Sequence, residues 1–551
     1  MTPSAFASPD SADEIIHLPM VQHLVQGQEH QARGRIEEAI SAYRLGLEAA
    51  GNDASNHLAM ATRAELHAKL GNAYMVRGEL GLAGASYTAA LRIAPHLTAC
   101  WCNLGNVQMQ TGNAEGAIAL YLQALKTNAM HWPTRTNLAQ ALIATGQMVV
   151  AKALLSELLE ERPHEAQVHH QLGKVCFELN EIGEALGHFG KAAALNPCDA
   201  ESLYWIGGIQ QKLGDDSAAQ AAYAAAAQIQ PLIRKRAIKS PADFRVLALY
   251  APFAGNTPAE YLFKDAAYDA DTLALLSSSR PDVSALGGFD LVVNLISDAD
   301  QAEAVLPAAA DLVARLGKPV VNDPDRVRRT TRDEVANWLS GIAGCRLPNI
   351  LRLPAERGVD AAVREAKLMF SFPLLVRPAG THGGDDFERI ESAADLAEYL
   401  RPRNGDHYLI EYVDYASPDR YFRKYRFIFV GEKILPYHLA VGSDWKLHHD
   451  STDMDQHVWM QQEEAAFLEN PGAVFNASHY QTLKVIRERI GLDYFGIDCG
   501  FDRAGSLVVF EVNASMLVHE HNEAFPYKNP YVRAIKREFD AMLAQRAGKS
   551  G

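Results

Sequence analysis

The sequence predicts a multidomain chain: an all-α solenoid of helical repeats followed by an α/β (α+β) half. Three observations predict it. A set of small and aromatic residues recurs at a spacing of 34 between Leu70 and Pro231. After Pro231 that period stops, and short apolar runs alternate with helical stretches. Near the C-terminus, two acids and an amide fall on one apolar hairpin.

The repeat is legible in five features held in one register. Leu70-Gly71, Leu104-Gly105, Leu138-Ala139, Leu172-Gly173 and Ile206-Gly207 supply a small residue where the first helix of a pair must approach the second. Gly78, Gly112, Gly146, Asn180 and Gly214 stand where that helix stops; Gly and Asn tolerate the left-handed backbone needed there. Ala83, Ala117, Ala151, Ala185 and Ala219 mark the tight contact of the second helix. Tyr87, Tyr121, Leu155, Phe189 and Tyr223 fill the large apolar position. Pro95, Pro163, Pro197 and Pro231 close four of the repeats, and Ala129 departs from the pattern. A looser repeat with Gly34, Ala39 and Tyr43 precedes them, as expected of a unit that caps a stack. The solenoid is placed at residues 15–235 and a linker at 236–243.

The pattern resembles the tetratricopeptide repeat family. In that family the first helix of each repeat lines a groove that holds an extended peptide. Asn72, Asn103, Asn106 and Asn137 match positions that grip a peptide backbone or terminal carboxylate, and an amide offers both donor and acceptor. Turn capping, simple solvation, or docking of the C-terminal half or a second subunit are the other uses open to them.

Composition excludes some classes. The chain of 551 residues carries a formal charge of −15, and its short basic stretches read as solvated loops, so no nucleic-acid partner is expected. Residues 1–20 have no apolar core of a signal peptide, and no apolar run is long enough to cross a bilayer. A cytoplasmic location without membrane contact is expected. The six scattered cysteines form no CxxC pair and read as reduced, small buried residues.

In the second half, runs at 244–250, 290–296 and 319–322 with a helix at 300–316 predict a small unit with a parallel sheet, placed at 244–322. A helix at 331–342, a strand at 372–377 and the glycine loop 380–384 come next. A strand at 407–413 and two hairpins, 425–441 and 496–513, complete a second block placed at 323–545. Glu511 and Asn513 share a face of one strand, and Asp498 lies level with them on its neighbour. These hard oxygen donors suit Mg²⁺ carried with phosphates.

This order of pieces resembles the ATP-grasp superfamily, and "GIDCGFDRAGSLVVFEVNAS" resembles its metal-binding strand pair. The resemblance implies ATP and Mg²⁺ as cofactors, with Asp498, Glu511 and Asn513 on the metal. Arg332 and Arg377 match the two phosphate-gripping positions, usually Lys in the family; a guanidinium keeps the charge but presents a planar fork. His382, Gly383 and Gly384 resemble the flap over the phosphates, Glu411 and Val413 the adenine hinge, and Arg426 the contact to the transferred phosphoryl group. Arg423, Lys424, Lys446 and His519 are candidate substrate groups; His519 and His521 are also a weak metal pair. Where the family continues Asn-x-x-Pro-Gly, this chain reads Asn513-Ala514-Ser515-Met516-Leu517. Gly496 stands where some ligases place Arg, closer to the glutamate ligases that modify ribosomal proteins or peptides.

The implied function is an ATP-dependent carboxylate–amine (or thiol) ligase that works through an acyl phosphate on a small-molecule carboxylate or amine. The repeats would recruit a peptide, protein or second subunit. A small-molecule kinase on the same fold is one rival. A repeat module with a degenerate ATP site is the other.

Overall fold

The structure, a computed structural model, describes residues 11–49, 57–252, 255–286, 288–381, 386–447, 452–514, 516–520 and 522–549. The chain divides into two compact units, Met1–Ile229 and Gln230–Gly551.

The first unit is built of helix pairs. Its first pair is Ser11–Ala32 and Ile36–Ala49, its second His57–Arg77 and Leu80–Ile93, and its last Ala200–Lys212 and Asp216–Ile229. The turn between paired helices has a positive φ at Gly34, Gly78, Gly112, Gly146, Asn180 and Gly214, the six positions where the sequence places Gly or Asn. The small residue of each pair is sterically required. A Cβ on Gly71 would lie 2.6 Å from the Tyr87 ring, on Gly105 2.4 Å from Tyr121, and on Gly207 2.7 Å from Tyr223. Where the repeat carries Ala139 instead, the facing residue is the smaller Leu155, and both are fully buried. The first repeat obeys the same rule through Gly27, whose Cβ would meet Tyr43 at 2.3 Å. Each buried ring contributes about 1.5–3 kcal/mol, so the repeated aromatic is the main local adhesive.

The second unit holds three sheets. A mostly parallel sheet is ordered β1 (Leu232–Ile233), β3 (Asp269–Ala274), β2 (Arg245–Tyr250), β4 (Leu291–Asn294), β5 (Val320–Val321). β3, β2, β4 and β5 are parallel, and β1 is antiparallel to β3. The sequence reading groups 230–235 with the repeats. Pro231 instead ends the helical run, and Leu232 and Ile233 pair with Leu273 and Thr272 as an edge strand. β3 was not expected, because its sequence DADTLA carries two acids; Asp271 is buried beside Arg245.

The second sheet is antiparallel: β7 (Ile350–Leu353), β10 (His407–Glu411), β8 (Leu374–Pro378), β9 (Glu388–Ile390). The third runs β12 (Lys433–Gly442), β11 (Phe422–Val430), β13 (Tyr494–Phe501), β14 (Leu507–Asn513), β6 (Cys345–Arg346), antiparallel apart from β6. Its apolar face carries Phe427, Phe429, Phe495 and Ile497 against the helices Val458–Glu469 and Ala477–Ile490. Part of the opposite face is covered by the helix Asn529–Arg546 through Ile535 and Phe539. The rest of that face carries charge. Among the described residues no helix is long and apolar enough to cross a membrane. All six cysteines are free of disulfides; Cys198 is exposed and Cys345 half-buried, so these two are not the buried residues expected.

Candidate active site

β13 reads Tyr-Phe-Gly-Ile-Asp-Cys-Gly-Phe and is buried almost throughout. An acid in such a strand must be paired, because burying a lone carboxylate costs several kcal/mol. Asp498 is paired with two cations of β11. Across β11 it faces Arg426, which donates from Nε to Oδ1 at 2.6 Å and from Nη2 to Oδ2 at 2.9 Å. The Lys424 ammonium lies 3.2 Å from Oδ2. Across β14 it faces Glu511 in direct register, and Asn513 faces Gly496. The convergence inferred from spacing is therefore a cross-strand pair.

Arg332, at the start of the helix Arg332–Leu339, donates to Glu511 at 2.6 Å. Arg377 on β8 donates to the Thr381 carbonyl and hydroxyl at the base of the glycine loop. The charges shape one another. Burial would neutralise Asp498, but Arg426 and Lys424 outweigh it and hold the carboxyl well below its ordinary range. Burial likewise opposes ionisation of Glu511, and Arg332 keeps it low. Arg377 goes the other way: burial, then repulsion from Arg332, pulls its guanidinium down to about 10. Four cations thus meet two carboxylates, an excess of positive charge that an anionic ligand would offset.

These groups line part of a cleft between the second and third sheets. Another part is apolar. Leu375 and Ile410, cross-strand partners, face Phe510 and Leu447, with Glu411, Tyr412 and Val413 along the border. The Glu411 carboxylate is taken by Arg346 at 2.9 Å and by the Asn349 N–H at 3.0 Å. Lys446 also lines the cleft and donates to the Phe387 carbonyl.

The cleft gathers Arg332, Arg377, Glu411, Val413, Lys424, Arg426, Lys446, Asp498, Glu511 and Asn513. It does not gather Arg423, which alternates to the other side of β11 and pairs with Asp419 and Glu463. His519 does not line it either. His382, Gly383, Gly384 and His521 lie outside the described residues. Leu375, Phe387 and Phe510 also line the cleft, and no pattern in the sequence singles them out. Leu375 and Phe510 stand two and one positions from named site residues, but an apolar residue gives no sign of whether it faces core or cleft.

In the first unit the four asparagines form a ladder between repeats. Asn72 Oδ1 accepts from the Tyr87 hydroxyl at 2.7 Å and from Asn103 at 3.0 Å. One repeat on, Asn106 Oδ1 accepts from Tyr121 and Asn137, each at 2.8 Å. Both lone pairs of each of these oxygens are thereby engaged, which fixes the orientation of the amides.

Residues 112–175 and 200–231 match family models described as tetratricopeptide repeat. Cell division cycle protein 27 homolog A of Arabidopsis thaliana is 28% identical over 112 residues; that stretch is 20% of this chain and 16% of that protein. Among solved structures, PilF of Pseudomonas aeruginosa aligns over 39% of this chain and 92% of its own, with a TM-score of 0.33 and 19% identity. VanG D-Ala:D-Ser ligase from Enterococcus faecalis aligns over 55% of this chain and 99% of its own, with a TM-score of 0.37 and 12% identity. At those identities and scores neither likeness carries functional information. The first unit is a solenoid of helix pairs that carries tetratricopeptide repeats at residues 112–175 and 200–231.

Proposed function

We propose that the second unit is an ATP-dependent ligase that activates a carboxylate as an acyl phosphate and passes it to an amine. The observation that carries this reading is the row Glu511–Asp498–Arg426 across three adjacent strands, flanked by Arg332, Arg377 and Lys424 in a cleft that Leu375, Ile410, Phe510 and Leu447 also line. The apolar part suits a nucleobase and the cationic part its phosphates. Asp498, Glu511 and Asn513 are hard oxygen donors, buried or half-buried and held ionised or oriented, so the set fits Mg²⁺. They would hold the ion, which supplies charge neutralisation at the phosphates.

The chain's own groups do the rest. Arg332 and Arg377 bind the polyphosphate and are released from mutual repulsion by it. Arg426, on the strand beside Asp498, would offset the negative charge that grows as a substrate carboxylate attacks phosphorus. No side-chain nucleophile is required. The solenoid, with its oriented asparagine ladder, suits an extended peptide or protein segment, and capture there raises the local concentration of a substrate.

ADP release is the measurement. Asp498→Ala and Glu511→Ala are each expected to lower it by on the order of 100-fold or more. Unchanged release in both variants would reject this site. Hydroxylamine separates ligase from kinase, since only an acyl phosphate yields a hydroxamate.

A further inference from the structure

The charged row does not end at Arg426. Across the β11–β12 ladder Arg426 faces His438, so one face of the third sheet carries Glu511, Asp498, Arg426 and His438 in successive strands. At a strand spacing of about 4.8 Å, His438 stands roughly 10 Å from Asp498, on the side away from Glu511.

His438 is built into a cluster that the phosphate chemistry above leaves unused. Its Nδ1 is hydrogen-bonded to Oε1 of Glu464, a carboxylate with 0% exposure on the helix Val458–Glu469. Glu464 is held in place on every side. Oε1 also accepts from the Leu439 N–H at 3.2 Å and lies 3.4 Å from the Lys528 ammonium, and Oε2 accepts from the Tyr527 hydroxyl at 2.7 Å. The imidazole side chain keeps 25% of its surface exposed, so it is open where the carboxylate behind it is not. A buried carboxylate only accepts, so at Nδ1 it favours the tautomer with the proton on Nδ1 and the lone pair on Nε2. Lys528 sits 3.1 Å from the same ring nitrogen, and Arg426 is the next charge along the row.

We propose that His438 is the general base for the acceptor, a primary amine, and that Glu464 is the residue that positions it. The inference rests on the ligase reading above. The amine arrives as an ammonium and gives one proton to Nε2. Its lone pair then attacks the acyl carbon; the C–N bond forms, the C–O bond to phosphorus breaks, and phosphate leaves with the electron pair and the second amine proton. The base must be neutral to act, and its surroundings agree. Burial and the charges of Lys528 and Arg426 lower the imidazole's affinity for a proton, against the opposing pull of Glu464.

The test separates the two half-reactions in the full chain. A mixture of the common amino acids serves as carboxylate and amine source, with ATP and Mg²⁺, with and without hydroxylamine. Hydroxylamine is largely unprotonated at neutral pH and needs no base. In His438→Gln, hydroxamate formation is expected to stay at the unsubstituted rate while amide formation falls by on the order of 100-fold. Loss of both together, or of neither, overturns the base assignment. No hydroxamate from the unsubstituted chain rejects the ligase reading and this inference with it. A second measurement does not depend on a variant folding: nitrogen NMR of the imidazole at neutral pH should show Nδ1 protonated and Nε2 bare. A doubly protonated ring there overturns the proposal. For Glu464→Gln, losing the carboxylate that favours the imidazolium moves the acid limb of amide formation to lower pH; an unmoved limb removes Glu464 from the positioning role.

Discussion

At the scale of single residues, the second unit is governed by buried charges that survive only in company. Asp498 and Glu464 are both almost sealed from solvent; Asp498 is held ionised by Arg426 and Lys424, and Glu464 by Lys528 with hydrogen bonds from its other neighbours. Glu464 shows the consequence for stability. Burial alone would raise its pKa, but His438, Lys528 and Tyr527 outweigh it and bring the carboxyl from 4.5 down to about 2. A depressed acid contributes stability that is fully present above its unfolded value and is lost as protons compete. The contribution from Glu464 is therefore intact above about 4.5 and disappears as pH falls through about 2. Glu464→Gln leaves Lys528 buried without a counter-charge and should cost about 3–5 kcal/mol by denaturant titration. In that variant the stability should also depend less on pH across the acid range, and an unchanged acid profile would contradict the pairing.

At the scale of elements, the repeat works because a helix crossing is set by two positions sixteen residues apart. Gly105 meets Tyr121 and Gly71 meets Tyr87, while Ala139 meets Leu155. Volume is conserved across the contact rather than at either position. Gly105→Ala gains helix propensity but drives a methyl group to 2.4 Å from the ring. Overpacking of this kind costs about 1–3 kcal/mol, so the variant should melt earlier. Adding Tyr121→Leu recreates the Ala139–Leu155 pairing and should recover most of the loss, measured by thermal circular dichroism. No recovery would show that the ring matters through its hydroxyl bond to Asn106. In the third sheet the corresponding device is register. A bulge between Arg426 and Phe427 resets β11 against β12, and this is what puts His438, and not its neighbour, opposite Arg426.

At the scale of the whole molecule, two units with separate cores are joined in one chain. On the reading proposed above, they divide the labour of chemistry and recruitment. Residues 230–551 alone should then keep nucleotide-dependent ADP release with a small carboxylate and lose discrimination for a peptide or protein substrate. Calorimetry with ATP and Mg²⁺ on both lengths checks the first half, and KM for a peptide against a free amino acid checks the second. Equal KM values for both lengths would remove the solenoid from substrate capture.

Much of this protein is legible in its sequence alone. The 34-residue register determined the helix pairs, because a turn with positive φ and a close helix crossing each demand a particular small residue at a set place. The period of two along a strand put Glu511 and Asn513 on one face, and turn length put Asp498 beside them. The remainder needed the tertiary structure. β3 was hidden because its acids are compensated by Arg236 and Arg245 from other segments. Whether Leu375 and Phe510 face core or cleft depends on which sheet lies opposite. Arg423 and Arg426 look alike in sequence, yet strand alternation sends one to Asp419 and Glu463 and the other to Asp498. The His438–Glu464–Lys528 cluster draws its members from a strand, a helix and a turn, spread over about ninety residues. Local sequence determines which faces and turns a segment can form, because those depend on a residue's own backbone and near neighbours. Which buried charges share a partner is decided only when distant elements pack, because a Coulomb interaction in a low-dielectric interior depends on distance in space and not on separation along the chain.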